Sequence, residues 1–363
     1  MMTISLCMIV KNEQAVLGRC LDSVKQVVDE IVIVDTGSSD ATKEIAAQYT
    51  DCVYDFAWDD DFSAARNYSF SKATKDFILW LDADDVLLPQ DGQALMQLKQ
   101  TLPQDVDVVM MRYHTAFDEQ GAPTFFYYRE RLIRRTLPCC WKGRVHEVIE
   151  HAGQTLHSEV AVTHRSIKTS YSDRNLKIYE KQLQNGQPLT PRDAFYYGRE
   201  LYYHRQFEKA EEVLSAFLEE GLGFLENNIE ASKILSYCRL EKKDLRGALD
   251  ALALSFRYDM PRADICCEIG GVWMQLRNYR VAAFWYELAR TMPKEEKSGA
   301  FINEDCYGYL PCIQLCVCYD RLGQHEKARD FNRLAGGYRP KSKAYLQNST
   351  YFERLFSNSE GFF

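Results

Sequence analysis

Four short apolar runs in the first ninety residues, separated by helical patterns, narrow the choice of fold more than any other feature of this chain. Residues Ile4–Val10 form a β-branched run, and Val16, Leu17, Cys20, Leu21 and Val24 then recur at helical spacing. The run 31–34 ends in a polar turn before a helical stretch over 41–49. A short strand over 53–56 precedes a helix over 62–73, and 77–81 is again apolar. Strands that read as continuous apolar runs, with no alternation, belong to parallel sheets covered on both faces. The pattern predicts an α/β fold, doubly wound over its first part. After Pro103 it turns to strands, at 106–113, 124–128, 131–135 and 160–163.

From about Asp173 only helical patterns remain. The strings FEKA, LRGA, YRVA and HEKA each follow a polar turn, and their alanines are Ala210, Ala248, Ala282 and Ala328, spaced 38, 34 and 46 residues apart. The middle spacing equals the tetratricopeptide period. A small residue at that point lets two helices approach closely, and Pro261, Pro293 and Pro340 lie beyond the second helix of a pair, where proline stops a helix. The reading predicts three to four degenerate repeats and divides the chain into an α/β domain over 1–187 and an all-α, tetratricopeptide-like domain over 188–363, with 188–191 as the junction. A chain of 363 residues accommodates two such domains.

Bulk properties exclude some classes. The net charge is -8, so a global basic footprint for nucleic acid is absent. The N-terminal sequence MMTISLCMIVKNE has no basic segment before an apolar one and no small-residue cleavage site, and no apolar run approaches the roughly 18 residues that span a bilayer. The expectation is a cytoplasmic protein without a transmembrane segment, its twelve cysteines reduced. No C-x-x-C pair occurs. Cys312 and Cys316, in the cluster with Cys306 and Cys318, are one helical turn apart in an apolar segment, which reads as a core face rather than a metal site.

The chemistry-bearing residues follow the apolar strands. Asp35 ends the second, at the carboxyl edge where open α/β sheets bind ligands. It is read as a nucleotide contact, with a structural turn as the alternative. Asp40, or Ser39, suits a helix N-cap. Asp82-Ala83-Asp84-Asp85 follows the apolar run 77–81. Three carboxylates in four residues repel one another unless a cation or hydrogen bonds compensate. A hard divalent ion, Mn2+ or Mg2+, suits them, and a solvated acidic turn is the bland alternative.

The strings SLCMIVKNE, EIVIVDTGSSDAT, SAARNYSFSKA and DFILWLDADD, in that order within residues 3–90, resemble the nucleotide-binding half of family 2 glycosyltransferases. The resemblance implies a GT-A fold and a nucleotide-diphosphate sugar as donor, with a UDP-sugar favoured. By it Asp35 meets the base, Asp82 sits near the ribose or the sugar, and Asp84 ligates the metal. Arg66 and Asn67 match an Arg-Asn pair near the donor pocket. Arg66 suits a diphosphate, although an ion pair within the fold is nearly as good an account. Asn12 and Glu13 match the end of the first strand and shape either the nucleotide pocket or only its turn. Trp141-Lys142-Gly143-Arg144-Val145-His146-Glu147, Thr163-His164 and Arg174-Asn175 resemble elements of the branch of this family that carries tetratricopeptide repeats.

An inverting transfer needs a base for the acceptor. Glu147 is the first choice and His146 the competitor, since an unperturbed imidazole titrates near neutral pH. The alternative for this pair is a structural ion pair with Arg144 or Lys142. His164 either completes the metal shell after Asp84 or is a core histidine. The other histidines have no context that singles them out. The usual acidic base of the family is not matched cleanly, so base and stereochemistry stay open.

The helical half leaves three uses open: holding a peptide or protein acceptor, as S-glycosylating relatives of similar architecture do, forming a homodimer, or capping the catalytic domain. Its aromatics, among them Tyr196, Tyr197, Tyr202, Tyr203, Trp273, Trp285 and Tyr286, read as packing. The functional expectation is a metal-dependent transferase of hexosyl type acting on a peptide, protein or glycan. Its rival is a tetratricopeptide scaffold whose transferase domain is non-catalytic. A sugar nucleotidyltransferase fits less well, because the first turn, Lys11-Asn12-Glu13, lacks the glycine-rich loop that such an enzyme needs.

Overall fold

In the computed structural model, which describes residues 2–168 and 171–357, the first apolar run becomes the centre of a sheet. The chain falls into two units, Met1–Pro188 with Glu296–Ile302, and Leu189–Glu295 with the residues from Asn303 on. The strands of the first unit are β1 (Ile4–Val10), β2 (Glu30–Asp35), β3 (Val53–Asp55), β4 (Phe77–Trp80), β5 (Asp85–Val86), β6 (Val108–Phe117), β7 (Pro123–Arg134), β8 (Cys140–Lys142), β9 (Val148–Glu150) and β10 (Thr155–His164). Its helices are α1 (Leu17–Val24), α2 (Thr42–Ala46), α3 (Phe62–Ser71), α4 (Pro89–Thr101) and α5 (Arg174–Gln184).

The main path of the sheet runs β3-β2-β1-β4-β7-β6-β10-β5. Strands β3, β2, β1 and β4 are parallel, as the uninterrupted apolar runs require. Successive β1 side chains serve opposite faces. Ile4, Leu6, Met8 and Val10 join Leu17, Cys20, Leu21 and Val24 of α1 in one core. Cys7 packs with Val32, Ala73 and Ile78 in another, which Phe70 of α3 covers. Each fully buried Leu, Ile or Val contributes about 1.5–3 kcal/mol.

Beyond β4 the sheet is mixed: β7 runs antiparallel to both β4 and β6. The two strands expected at 124–128 and 131–135 are one strand. The charged residues Arg129, Glu130 and Arg131 break the apolar pattern in the sequence, but they lie inside β7 and are buried or half-buried there. Parallel pairing of β2, β1 and β4 brings their carboxyl ends, at Asp35, Val10 and Trp80, to one edge. Pairing of β10 with β5 sets His164 opposite Asp85.

The second unit holds α6 (Pro191–Tyr203), α7 (Phe207–Glu220), α8 (Leu225–Glu241), α9 (Leu245–Ala253), α10 (Ala263–Gln275), α11 (Tyr279–Ala289), α12 (Tyr309–Arg321), α13 (His325–Tyr338) and α14 (Lys343–Ser357). The four repeat strings open α7, α9, α11 and α13, and their alanines are fully buried. Each of these helices is preceded by a residue at positive φ: Arg205, Lys243, Arg277 and Gly323. One left-handed residue thus makes every turn within a helix pair, although glycine, the residue that adopts this conformation most freely, serves in only one of the four. The long third spacing has a structural cause, since Glu296–Ile302 groups with the first unit.

Cys306, Cys312, Cys316 and Cys318 are buried in the core of the second unit, as the helical spacing predicts. All twelve cysteines are free. Among the described residues no helix is long and apolar enough to cross a membrane.

The α6–α7 contact depends on Gly198, where a Cβ would lie 2.5 Å from Leu214 Cδ2 and 2.6 Å from its Cγ. Gly198→Val is expected to lower stability by about 1–3 kcal/mol through overpacking. Urea unfolding followed by circular dichroism measures this, and an unchanged midpoint would show that the two helices do not need the close approach.

Candidate active site

The site is assembled on α3. Asp61 caps this helix by accepting from Ala64 N at 2.9 Å. The helix carries Arg66, whose side chain is 9% exposed. Arg66 Nη2 donates to Asp82 Oδ1 at 2.7 Å and Nε donates to Glu147 Oε1 at 2.5 Å. The guanidinium also lies over Trp80 and Trp141, at 4.8 and 4.9 Å from the ring centres. Burial works against its charge, but the pull of Asp82 and Glu147 outweighs this and raises its pKa further.

Arg66 makes the ion pair within the fold that is one of its two expected roles, and it also lines the cleft described below. Glu147 pairs with Arg66 and not with Arg144 or Lys142. Asn67 is spent on backbone: Nδ2 donates to Trp141 O at 3.0 Å and Oδ1 accepts from Trp141 N at 2.8 Å. It fixes Trp141, which meets Trp80 edge to face at 4.9 Å.

Beside Arg66 the 82–85 turn divides its three carboxylates among different partners. Burial disfavours the Asp82 charge, yet Arg66, Arg131 and Arg129 overcome that and hold the carboxyl at about 2. Asp85 is fully buried and pairs with Arg131 at 3.1 Å. Its Oδ2 also accepts from Asp82 N at 3.1 Å, and its Oδ1 accepts from Tyr113 Oη at 2.9 Å. The cation that the crowded carboxylates call for is therefore supplied in part by two arginines. Asp84 is the exception. Among the described residues it forms no ion pair with Lys or Arg, and His164 Nδ1 lies 3.6 Å from its Oδ1.

His164 Nδ1 is also 3.0 Å from Tyr113 Oη and 3.5 Å from Asp85 Oδ1. The hydrogen bond to Asp85 raises the imidazole pKa against burial, and Asp84 adds to the effect. One oxygen each of Asp84 and Asp85 and one His164 nitrogen lie within 4.8 Å of one another. Carboxylate and imidazole ligands at such spacing fit a Mn2+ or Mg2+ ion. Asp84 and His164 are the two expected ligands, and they do meet.

The nucleotide end lies along the neighbouring strand ends. Asp35 is 1% exposed. Its Oδ1 accepts from Gly37 N and Ser38 N at 2.9 and 2.8 Å, while its buried Oδ2 has no hydrogen-bond partner among the described residues. A buried carboxylate oxygen without a donor is costly, by roughly 1–3 kcal/mol or more, unless a ligand supplies one. Asn12, at φ 56°, accepts from Ser39 N at 2.8 Å, and Glu13 N donates to Thr42 Oγ1 at 2.8 Å. These bonds join the first two strand-end turns. Asp40 is not the N-cap of α2; that residue is Ala41, and Asp40 instead closes a local turn onto Thr42 N at 3.0 Å.

A cleft of about 470 Å³ opens over these turns. Asn12, Glu13, Thr36, Asp82 and Asp84 line it from the sheet edge, and Trp58, Phe62, Arg66, Lys168 and Arg174 line it from outside. Lys168 bridges to Glu13 at 2.6 Å, and Arg174 stacks over Phe62 at 4.5 Å. His146 and Glu147 follow β8; His146 has a φ of 50°, and the Glu147 side chain is 11% exposed.

Sequence reasoning missed Arg131, Tyr113, Trp58 and Lys168. A charged Arg-Glu-Arg in an otherwise apolar strand was the available signal for Arg131. Nothing local marks the others: Tyr113 meets Asp85 and His164 from another strand, and Trp58 and Lys168 reach the cleft from loops.

The model of the family described as Glycosyl transferase family 2 matches residues 5–154. A TPR repeat-containing protein of Synechococcus elongatus is 38% identical over 151 residues, which is 41% of this chain and 36% of that protein. The SPbeta prophage-derived glycosyltransferase SunS of Bacillus subtilis is 27% identical over 226 residues, 58% of this chain and 52% of that protein. The matches thus span between about a third and a half of these relatives' own length. Among solved structures, glucosyl-3-phosphoglycerate synthase from Mycobacterium tuberculosis with Mn2+ and UDP-glucose aligns with 52% of this chain and 81% of its own, at 15% identity and a TM-score of 0.35.

Arg66→Met would leave Glu147 and Asp82 without their shared cation. Losing one partner of a buried pair costs about 3–5 kcal/mol, and the lower end is expected because Asp82 is partly open to solvent. The urea midpoint should fall accordingly; a shift worth less than about 1 kcal/mol would mean that the pairs are screened.

Proposed function

We propose that the protein, whose residues 5–154 match the model of Glycosyl transferase family 2, moves a sugar, of hexosyl type, from a nucleotide-diphosphate sugar to a peptide, protein or glycan acceptor, with inversion and with a divalent metal. A UDP-sugar is the favoured donor. The observation that carries this reading is Asp84, which lines the cleft beside His164 with no internal ion pair to Lys or Arg. A Mn2+ or Mg2+ ion held by Asp84 and His164 would stabilise the charge of the departing diphosphate.

The chain's own residues account for the rest. Asp35 Oδ2 accepts from an N–H or O–H of the nucleoside. Asn12 and Glu13 set the floor of that end, and Asp82, kept ionised by Arg66, faces the ribose or the sugar. Lys168 and Arg174 line the cleft with Arg66 and join it in facing the diphosphate. Glu147 serves as base through its second oxygen, the first being held by Arg66, with His146 as competitor. The transferase domain is assigned to 1–187 and the repeat domain to 188–363, the latter holding the acceptor or forming a homodimer.

A thermal-shift panel of nucleotide sugars with and without manganese tests the donor side. Ligand at 100 times its Kd stabilises the folded state by about 2.7 kcal/mol, so a UDP-sugar with manganese should raise the Tm by several degrees. Asp84→Ala should abolish both the shift and metal-dependent hydrolysis of that sugar. Undiminished hydrolysis by Asp84→Ala would remove the metal role, and a panel without any shift would favour a non-catalytic scaffold.

A further inference from the structure

Beneath the 82–85 turn lies a buried chain of polar groups that ends on the His164 ring. Arg131 is fully buried, 3.8 Å from the Trp80 ring centre and 4.4 Å from that of Tyr113. Its Nη1 donates to Trp80 O at 3.2 Å and pairs with Asp85 at 3.1 Å, while Nε and Nη2 have no acceptor. Among the described residues Asp85 is the carboxylate in direct ion-pair contact with this guanidinium. Its other oxygen accepts from Tyr113 Oη at 2.9 Å, and the same Tyr113 oxygen lies 3.0 Å from His164 Nδ1.

Asp85 belongs geometrically to the group that could hold a metal, but its surroundings differ from those of Asp84. Both of its oxygens already accept hydrogen bonds, and its side chain has no exposure. To become a ligand it would have to release Arg131, a fully buried cation whose one direct ion pair among the described residues is with Asp85. Asp84 has no such tie. A metal-ligating imidazole is held through its other ring nitrogen, which fixes ring orientation before the ion arrives. Tyr113 holds Nδ1, so Nε2 is the nitrogen left for an ion.

We propose that Tyr113, anchored through Asp85 by Arg131, is a positioning residue that orients His164 for a divalent cation, and that Asp85 is an anchor of the ring and not a metal ligand. This rests on the metal reading above. It predicts that the Tyr113 hydroxyl acts on metal affinity itself, where a merely structural hydroxyl would act on stability alone.

The test is manganese binding to the full-length protein, measured by electron paramagnetic resonance of free Mn2+, with the metal-free Tm recorded for each variant. Tyr113→Phe should weaken manganese binding by about 10–100-fold, and donor hydrolysis lost at low manganese should return as manganese is raised. The double variant Asp85→Asn with Arg131→Met removes both buried charges together and so avoids stranding either. It should weaken manganese binding to a similar degree, whereas Asp84→Asn should abolish it. Manganese affinity in Tyr113→Phe within about 2-fold of wild type, against the loss normal for such partners, would overturn the positioning role. Complete loss in the double variant, equal to that in Asp84→Asn, would make Asp85 a ligand and overturn the second half. Wild-type protein that binds no manganese, or Asp84→Asn protein that binds it normally, removes the metal reading and this inference with it.

Discussion

Carboxylate crowding at one sheet edge is the constraint on which the rest of the site depends. Asp82, Asp84 and Asp85 fall within four consecutive positions, and Glu147 joins them through Arg66. Charges this close cannot be packed against apolar strands without compensation. Arg66 bridges Asp82 and Glu147, and Arg131 neutralises Asp85. Asp84 is left over, at the cleft, next to an imidazole. The fold thus answers most of the repulsion internally and leaves one carboxylate beside an imidazole, the pair on which the proposed metal site rests.

The aromatic layer makes those guanidiniums tolerable. Arg66, Arg129 and Arg131 lie 4.8, 4.9 and 3.8 Å from the centre of the Trp80 ring. A planar, weakly hydrated guanidinium can be buried against an indole where an ammonium would not be. Trp141 closes the other side of Arg66 and is itself clamped by Asn67. The Arg-Asn pair on α3 therefore acts as one device: Asn67 sets the tryptophan, the tryptophan sets the arginine, and the arginine sets two acids.

Much of this was legible in the sequence, unevenly and for physical reasons. The parallel half was, because buried parallel strands leave uninterrupted apolar runs. Strand β7 was not, because Arg129, Glu130 and Arg131 break such a run, and their partners Trp80 and Asp85 come from other strands. The repeat strings located α7, α9, α11 and α13, but the left-handed turns before them were obscured by arginine and lysine at three of four positions. The meeting of Asp84 and His164 was anticipated. The commitment of Arg66 to Glu147, 81 residues away, was foreseen only as an ion pair within the fold, because pairing at that range depends on how α3 and the segment after β8 pack.

The central claim is that Asp84 carries the metal that meets the donor's diphosphate, while Asp82 and Asp85 are neutralised from within. The most direct measurement is 31P nuclear magnetic resonance of uridine diphosphate with trace Mn2+ and the protein. Wild-type protein should enhance the manganese-driven relaxation of both phosphorus signals well beyond that in protein-free solution, and Asp84→Asn should return it to the protein-free value. Equal enhancement by the two proteins would contradict the account.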